Sequence, residues 1–390
     1  MTNKFFLKLI IILFKEYLIN YINIKKSSMN SVNTTDFQLA IFKEAIKNNL
    51  TNNVVLSPIS VLFPLSILSG GAKGQTLSEF KNVLNDNSNK NVYIENLNEI
   101  YNTIKNDSCL KIANAILTKI KVNPSFIQKG QSLNIKFDTL KDEKQVNDWV
   151  KAKTEGKITK IIDKIDPLIK MIVLNALYFH DDWKIQFSKT RTKLEPFYSS
   201  NSKEIKANLM YSHFKNANYI QNSQFQAIKL LYNSSKISAT IVLPAQNINI
   251  NDFILNIDTK FFFSIFHNTK TEEVILYLPR IKLENSYNLN NMLKQLGLNE
   301  AFKETADFSA LCDKEKLYFD RVDQKTYFEM DEKGTTAAAV TSVAVLGKGM
   351  GNQKIPFIMK CNRPYLVFLT KYCPKINKTL LLFCAKIENP

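Results

Sequence analysis

The chain has 390 residues, 45% hydrophobic and 22% charged, with only 10 Gly and 11 Pro. That composition excludes a disordered, collagen-like or linker-dominated chain, and the length is enough to bury a substantial core. The formal charge of +17 admits a polyanion such as a glycosaminoglycan as partner. No block of five or six like charges occurs, however, and Lys, Asn and Ile recur throughout, so no specific nucleic-acid partner is expected.

Residues 1–28 differ from the rest. An apolar run at 5–14, broken by Lys8 and preceded by Lys4, is too short and too charged to span a bilayer. It fits the core of a secretory leader, which implies an extracellular protein; translation from Met29 would instead give a leaderless, intracellular one. Residues 36–48 place Phe37, Ala40, Ile41 and Ala45 on one face of an amphipathic helix that Thr35 or Asp36 would cap. Residues 53–69 begin as a short strand and become a helix with Pro58 in its first turn, where a missing N–H costs little. A surface helix is expected over 146–163. The nearly all-apolar run 171–179 marks a strand buried on both faces. Further strands are expected at 237–243 and 274–281, and a short helix at 289–296. Helices first, strands later and no repeat predict an α+β fold in one large domain, 29–390.

Catalytic and metal motifs are absent. His180, His213 and His267 have no Glu-x-x-His partner, the five Cys form no Cys-x-x-Cys pair, and no Gly-x-Ser-x-Gly elbow exists. Their odd number leaves at least one thiol free. The sequence His180-Asp181-Asp182 reads as a solvated turn after a buried strand. Neither an enzyme nor a cofactor or metal site is expected.

One stretch is anomalous. Residues 334–347 run GTTAAAVTSVAVLG, fourteen positions without a charge. The alternating set Thr335, Ala337, Ala339, Thr341, Val343 and Val345 is entirely small or β-branched. As a strand the stretch would be about 45 Å long, beyond ordinary strands of roughly 3–10 residues. The β-branched residues from Val340 onward oppose a helix. Sheet chemistry, excess length and a Gly at each end describe a loop able to become a strand.

From Glu332 through Gly334, Thr335, Thr336, Ala337, Ala338 and Ala339 to Thr341, this stretch resembles the hinge of the reactive-centre loop in the serpin family. Other signatures follow. Residues 53–60, containing Ser57 and Ser60, with 71–76 resemble the family's shutter; Asn175 and Trp183, with Phe187, Thr192 and Phe197, resemble its central strand and breach; Asn362-Arg363-Pro364-Tyr365 resembles its C-terminal barrel strands. The resemblance runs from about residue 35 to 390. It implies three β-sheets, eight or nine helices and an exposed reactive-centre loop at about 334–354, in a monomer. It also implies an inhibitor that a serine protease attacks as a suicide substrate, giving a covalent acyl-enzyme while the cut loop inserts into the main sheet.

Family spacing puts the scissile bond at Lys348–Gly349, which suits a trypsin-like protease; Met350 as the scissile residue would suit a chymotrypsin- or elastase-like one. Gln324 stands where the family commonly has His, so the latch it forms with Ser57 and Asn175 should differ. The resemblance leaves two other roles open: a non-inhibitory carrier, chaperone or storage serpin, and a cross-class inhibitor of cysteine proteases.

Overall fold

The computed structural model describes residues 34–86, 90–233, 236–334, 355–373 and 378–390. The leader 1–28, the hinge residues Thr335, Thr336, Ala337, Ala338 and Ala339, and the bond Lys348–Gly349 lie outside the described residues.

The chain opens with α1 (Thr35–Lys47), β1 (Val54–Leu56), α2 (Pro58–Gly71), α3 (Gly74–Val83) and α4 (Lys90–Ile104). Next come β2 (Leu110–Thr118), α5 (Pro124–Ser132), β3 (Ile135–Thr139), α6 (Glu143–Lys153) and β4 (Met171–Phe179). The middle holds β5 (Lys193–Tyr198), β6 (Glu204–Gln221), β7 (Phe225–Leu231), β8 (Ile237–Pro244), α7 (Ile250–Leu255) and α8 (Thr259–His267). The remainder is β9 (Lys270–Pro279), β10 (Ile281–Asn288), α9 (Asn290–Gln295), β11 (Arg321–Met330), β12 (Phe357–Lys360), β13 (Tyr365–Cys373) and β14 (Lys378–Ile387).

Among the described residues the strands form two hydrogen-bonded sets. The first is a five-stranded sheet in the order β10-β11-β4-β2-β3. The second runs β1-β14-β13-β8-β7-β6-β9-β12, with β5 on β6. The eighteen-residue β6 pairs with β9 on both sides of a register shift between Phe214 and Ala217. The described strands thus form two hydrogen-bonded sheets, the larger continuous through β6.

Burial explains why these segments fold as they do. The expected face of α1 is turned inward, with Phe37, Ile41 and Ala45 at 0–1% exposure. Helix α2 lies in the core and carries Pro58 at its first turn. Every residue of β4 is buried. Its Val173, Leu177 and Phe179 join the main core, while Ile172, Leu174, Ala176 and Tyr178 pack with Val146 and Val150 of α6.

Three boundaries differ from the sequence expectation. The helix expected to reach residue 163 stops at Lys153. Thr154 Oγ1 accepts from the N–H of Ile158 at 3.1 Å, and Glu155 and Gly156 turn the backbone to φ of 54° and 76°. The strand expected at 274–281 begins at Lys270 and ends at Pro279; its last expected residue, Ile281, opens β10 after the single residue Arg280. All five cysteines are free and buried.

Candidate functional site

The site is a seam between β4 and β11, adjacent parallel strands in register from Ile172–Arg321 to Tyr178–Tyr327. The parallel pairing puts the C-terminal ends of both strands at the same edge of the sheet. Register also sets Asn114, Asn175 and Gln324 in one row across β2, β4 and β11. A polar row through a buried sheet is costly unless every group is paired.

Here the row is paired, against the first turn of α2. Gln324 Nε2 donates to Ser57 O at 2.9 Å and to Ser60 Oγ at 3.3 Å, and also to Asn175 Oδ1. Its Oε1 accepts from the Ser57 N–H at 3.0 Å. Ser60 Oγ lies 2.9 Å from Ser57 O and 2.7 Å from Asn175 Oδ1. Ser57 Oγ donates to Leu382 O at 2.7 Å, tying the cluster to β14, and Asn175 Nδ2 donates to Asn114 Oδ1. Gln324 therefore forms the latch in which a His was the commoner expectation. It does so with a group that does not titrate.

At the C-terminal edge the ladder stops at Tyr178–Tyr327. The next link is an isolated antiparallel bridge from Asp182 to Gly334. Between them the chain turns back on itself. The Asp331 N–H donates to Gly334 O at 2.8 Å, and Asp331 Oδ1 accepts from the N–H groups of Lys333 and Gly334. Glycine is needed here, because φ is +148° and an added Cβ would lie 2.2 Å from Asp181 O and 2.5 Å from Asp182 Cα.

The turn is anchored on both sides. The N–H groups of Trp183 and Phe187 donate to Lys333 O and Glu332 O, each at 2.7 Å, and Trp183 Nε1 donates to Asp331 O at 2.9 Å. The Trp183 ring stacks on Tyr232 at 4.3 Å, and Tyr232 meets Phe179 edge-on at 4.9 Å. The carboxylate of Glu332 is 2% exposed. Arg280 Nε reaches its two oxygens at 2.7 and 2.8 Å, and Thr192 Oγ1 donates to it as well. Burial pushes this carboxyl up, but the hydrogen bonds from Arg280 and Thr192 outweigh it and hold the group below the usual range.

The fold thus gathers Ser57, Ser60 and Asn175 at the middle of the seam and Trp183, Glu332 and Gly334 at its open end. Sequence reasoning missed Arg280 altogether. It also took 180–182 for a solvated turn, whereas Asp181 is 5% exposed and Asp182 is the strand-like partner of Gly334. The all-apolar run ending at Phe179, continued straight into Trp183, was the available signal. Cys361 is fully buried, and burial pushes its thiol up to about 12, as packing demands.

In this α+β body β11 belongs to one sheet and β12, the next described strand, to the other. Residues 32–390 match the family model described as Serpin (serine protease inhibitor). The chain is 30% identical over 402 residues to Serpin B11 of Homo sapiens, across 93% of this chain and 100% of that one. It is 31% identical over 362 residues to Serine proteinase inhibitor 1 of vaccinia virus, across 85% and 99%. The crystal structure of Tengpin, a thermophilic serpin in its native state, matches with a TM-score of 0.82 at 28% identity, covering 92% and 94%. The chain belongs to the serpin family.

Proposed function

We propose that this serpin is an inhibitor of trypsin-like serine proteases that traps its target covalently by loop insertion. The observation that carries this reading is the Asp182–Gly334 bridge. The chain has already reversed at 331–334, so Gly334 lies antiparallel to the continuation of β4 at the open end of the seam. A strand growing from that bridge would enter between β4 and β11 antiparallel to both. Insertion would replace one parallel ladder by two antiparallel ones, and antiparallel pairing is the more stable per residue. The small, uncharged side chains after Gly334 permit burial on either face, where an unpaired charge would cost several kcal/mol.

In this reading the protease serine Oγ attacks the Lys348 carbonyl. The Lys348–Gly349 bond breaks, the amine of Gly349 leaves with a proton, and the acyl-enzyme is carried away as the loop enters the sheet. Glu332 and Gly334 to Ala339 are the hinge. Ser57, Ser60 and Asn175, with Gln324, are the latch the incoming strand must pass, and Trp183 sits at the breach. The vaccinia relative's name as a serine proteinase inhibitor supports this reading. Secretion, directed by residues 1–28, is the localisation it takes.

Incubation with trypsin tests it. A denaturant-stable complex and a released peptide beginning at Gly349 are expected. A peptide starting elsewhere would move the scissile residue, and degradation without complex would overturn the inhibitory mechanism.

A further inference from the structure

Segment 182–184 is hydrogen-bonded on two sides. Trp183 N–H faces the 331–334 turn, while Asp182 O accepts from the Asn233 N–H at 2.7 Å and Lys184 N–H donates to Leu231 O at 2.8 Å. Against this second side lies a cavity of about 280 Å³ lined by the half-buried Lys229 and the exposed Lys184 and Lys236. No Asp or Glu occurs among its described lining residues. The carboxylate of Asp182 is engaged elsewhere, 3.7 Å from Lys333 Nζ.

Lys229 is the informative one. It is partly buried on β7, and burial alone lowers its ammonium below the usual lysine range, with no carboxylate opposing that shift. Strand register sets it opposite Thr240 of β8. The Thr240 hydroxyl is fully buried and has no hydrogen-bond partner among the described residues. Two rungs further along, two more buried hydroxyls, Ser238 and Thr370, meet at 3.3 Å and line the cavity.

Three cations and a set of hydroxyl donors without a counter-charge are the recognition chemistry of a small oxyanion. Lysine is well suited to the role, as a compact point charge with three donors. The volume is below the roughly 300–1,000 Å³ of pockets for drug-sized ligands, yet holds a tetrahedral anion with a few waters. We propose that this cavity, lined by Lys184, Lys229, Lys236, Ser238 and Thr370, binds phosphate or sulfate, free or as the terminal group of a small ester. The site stands independently of the inhibitory mechanism.

Trp183 provides the readout, because it stacks on Tyr232, which lines the cavity. The chain has two tryptophans, and Trp149→Phe leaves Trp183 as the single emitter. Inorganic phosphate is titrated into this variant against chloride at constant ionic strength, and Tm is followed in parallel in the parent. A saturable emission change is expected, with a rise in Tm of about 3 °C at a hundredfold excess over Kd. Lys229→Met and Lys236→Met should each abolish the saturable part, whereas Lys151→Met, on exposed α6, should keep it. Glycerol phosphate matching inorganic phosphate would identify a terminal phosphate as an accepted form; a response to the inorganic ion alone would identify the free anion. An equal response to chloride, no saturable response in emission or Tm, or retention of the response in Lys229→Met would overturn the proposal.

Discussion

Removing the Gln324 amide while keeping its bulk tests whether the polar row holds the seam. In Gln324→Leu the Ser57 N–H loses its Gln324 acceptor, which supplies the hydrogen bond at 3.0 Å. Ser57 O and Asn175 Oδ1 each keep Ser60 Oγ within reach, at 2.9 and 2.7 Å. That hydroxyl has one proton, so it can satisfy one of the two acceptors and leaves the other bare. Two buried polar groups are thus orphaned at about 1–3 kcal/mol each, a loss of about 2–6 kcal/mol. With an unfolding entropy of about 2.1 cal/mol/K per residue, a chain of 390 residues should lose about 2–7 °C in Tm. Thermal unfolding followed by circular dichroism measures this directly. Ser60→Ala in the same background should be non-additive by about 0.5–3 kcal/mol, because the two side chains share acceptors. Unfolding of Gln324→Leu at the parental temperature would refute the assignment of the row as a structural latch.

Gly334→Ala should detach the turn from Asp182, since the new Cβ would meet backbone atoms at 2.2–2.6 Å. Faster limited proteolysis near residue 334 is expected, and a parental digestion rate would show that the bridge is dispensable. Lys386, buried with its ammonium on Asn49 O, Leu50 O and Asn251 Oδ1, is lowered by burial to about 8. The fold therefore penalises its charged form below about pH 8. Stability should rise from there towards the ordinary lysine range of about 10.5, because the unfolded state binds the extra proton. Denaturant unfolding between pH 8 and 9.5 should show that rise in the parent and a flatter profile in Lys386→Met; equal slopes would exclude Lys386 as the titrating group. Thr335→Arg should turn the proposed inhibitor into a substrate, by placing an unpaired charge worth several kcal/mol at the first inserting position. Thr336→Arg, on the opposite face of a strand, should inhibit better. Gel assays with trypsin distinguish the two, and full inhibition by Thr335→Arg would exclude insertion from Gly334.

Local chemistry was enough to read several parts of this protein from its sequence. The run 171–179 has one polar residue among apolar ones, and it folds as the buried β4 with those bounds. The spacing of Phe37, Ile41 and Ala45 makes the inner face of α1, and Pro58 begins α2. Glu332 and Gly334 were singled out by motif, and they sit at the open end of the seam. What the sequence could not supply was set by pairing between distant segments. Arg280 is an ordinary surface-type residue until the β9–β10 corner brings it to a carboxylate 52 positions away. His180-Asp181-Asp182 has the composition of a solvated turn, and becomes a strand edge because the 331–334 turn lays Gly334 along it. Asn114, Asn175 and Gln324 are unremarkable polar residues in three separate strands, and only sheet register makes them one row. Side-chain periodicity and backbone preference act over a few residues and are legible locally. Which buried polar group meets which partner depends on strand order and register, and those are decided by the packing of the whole chain.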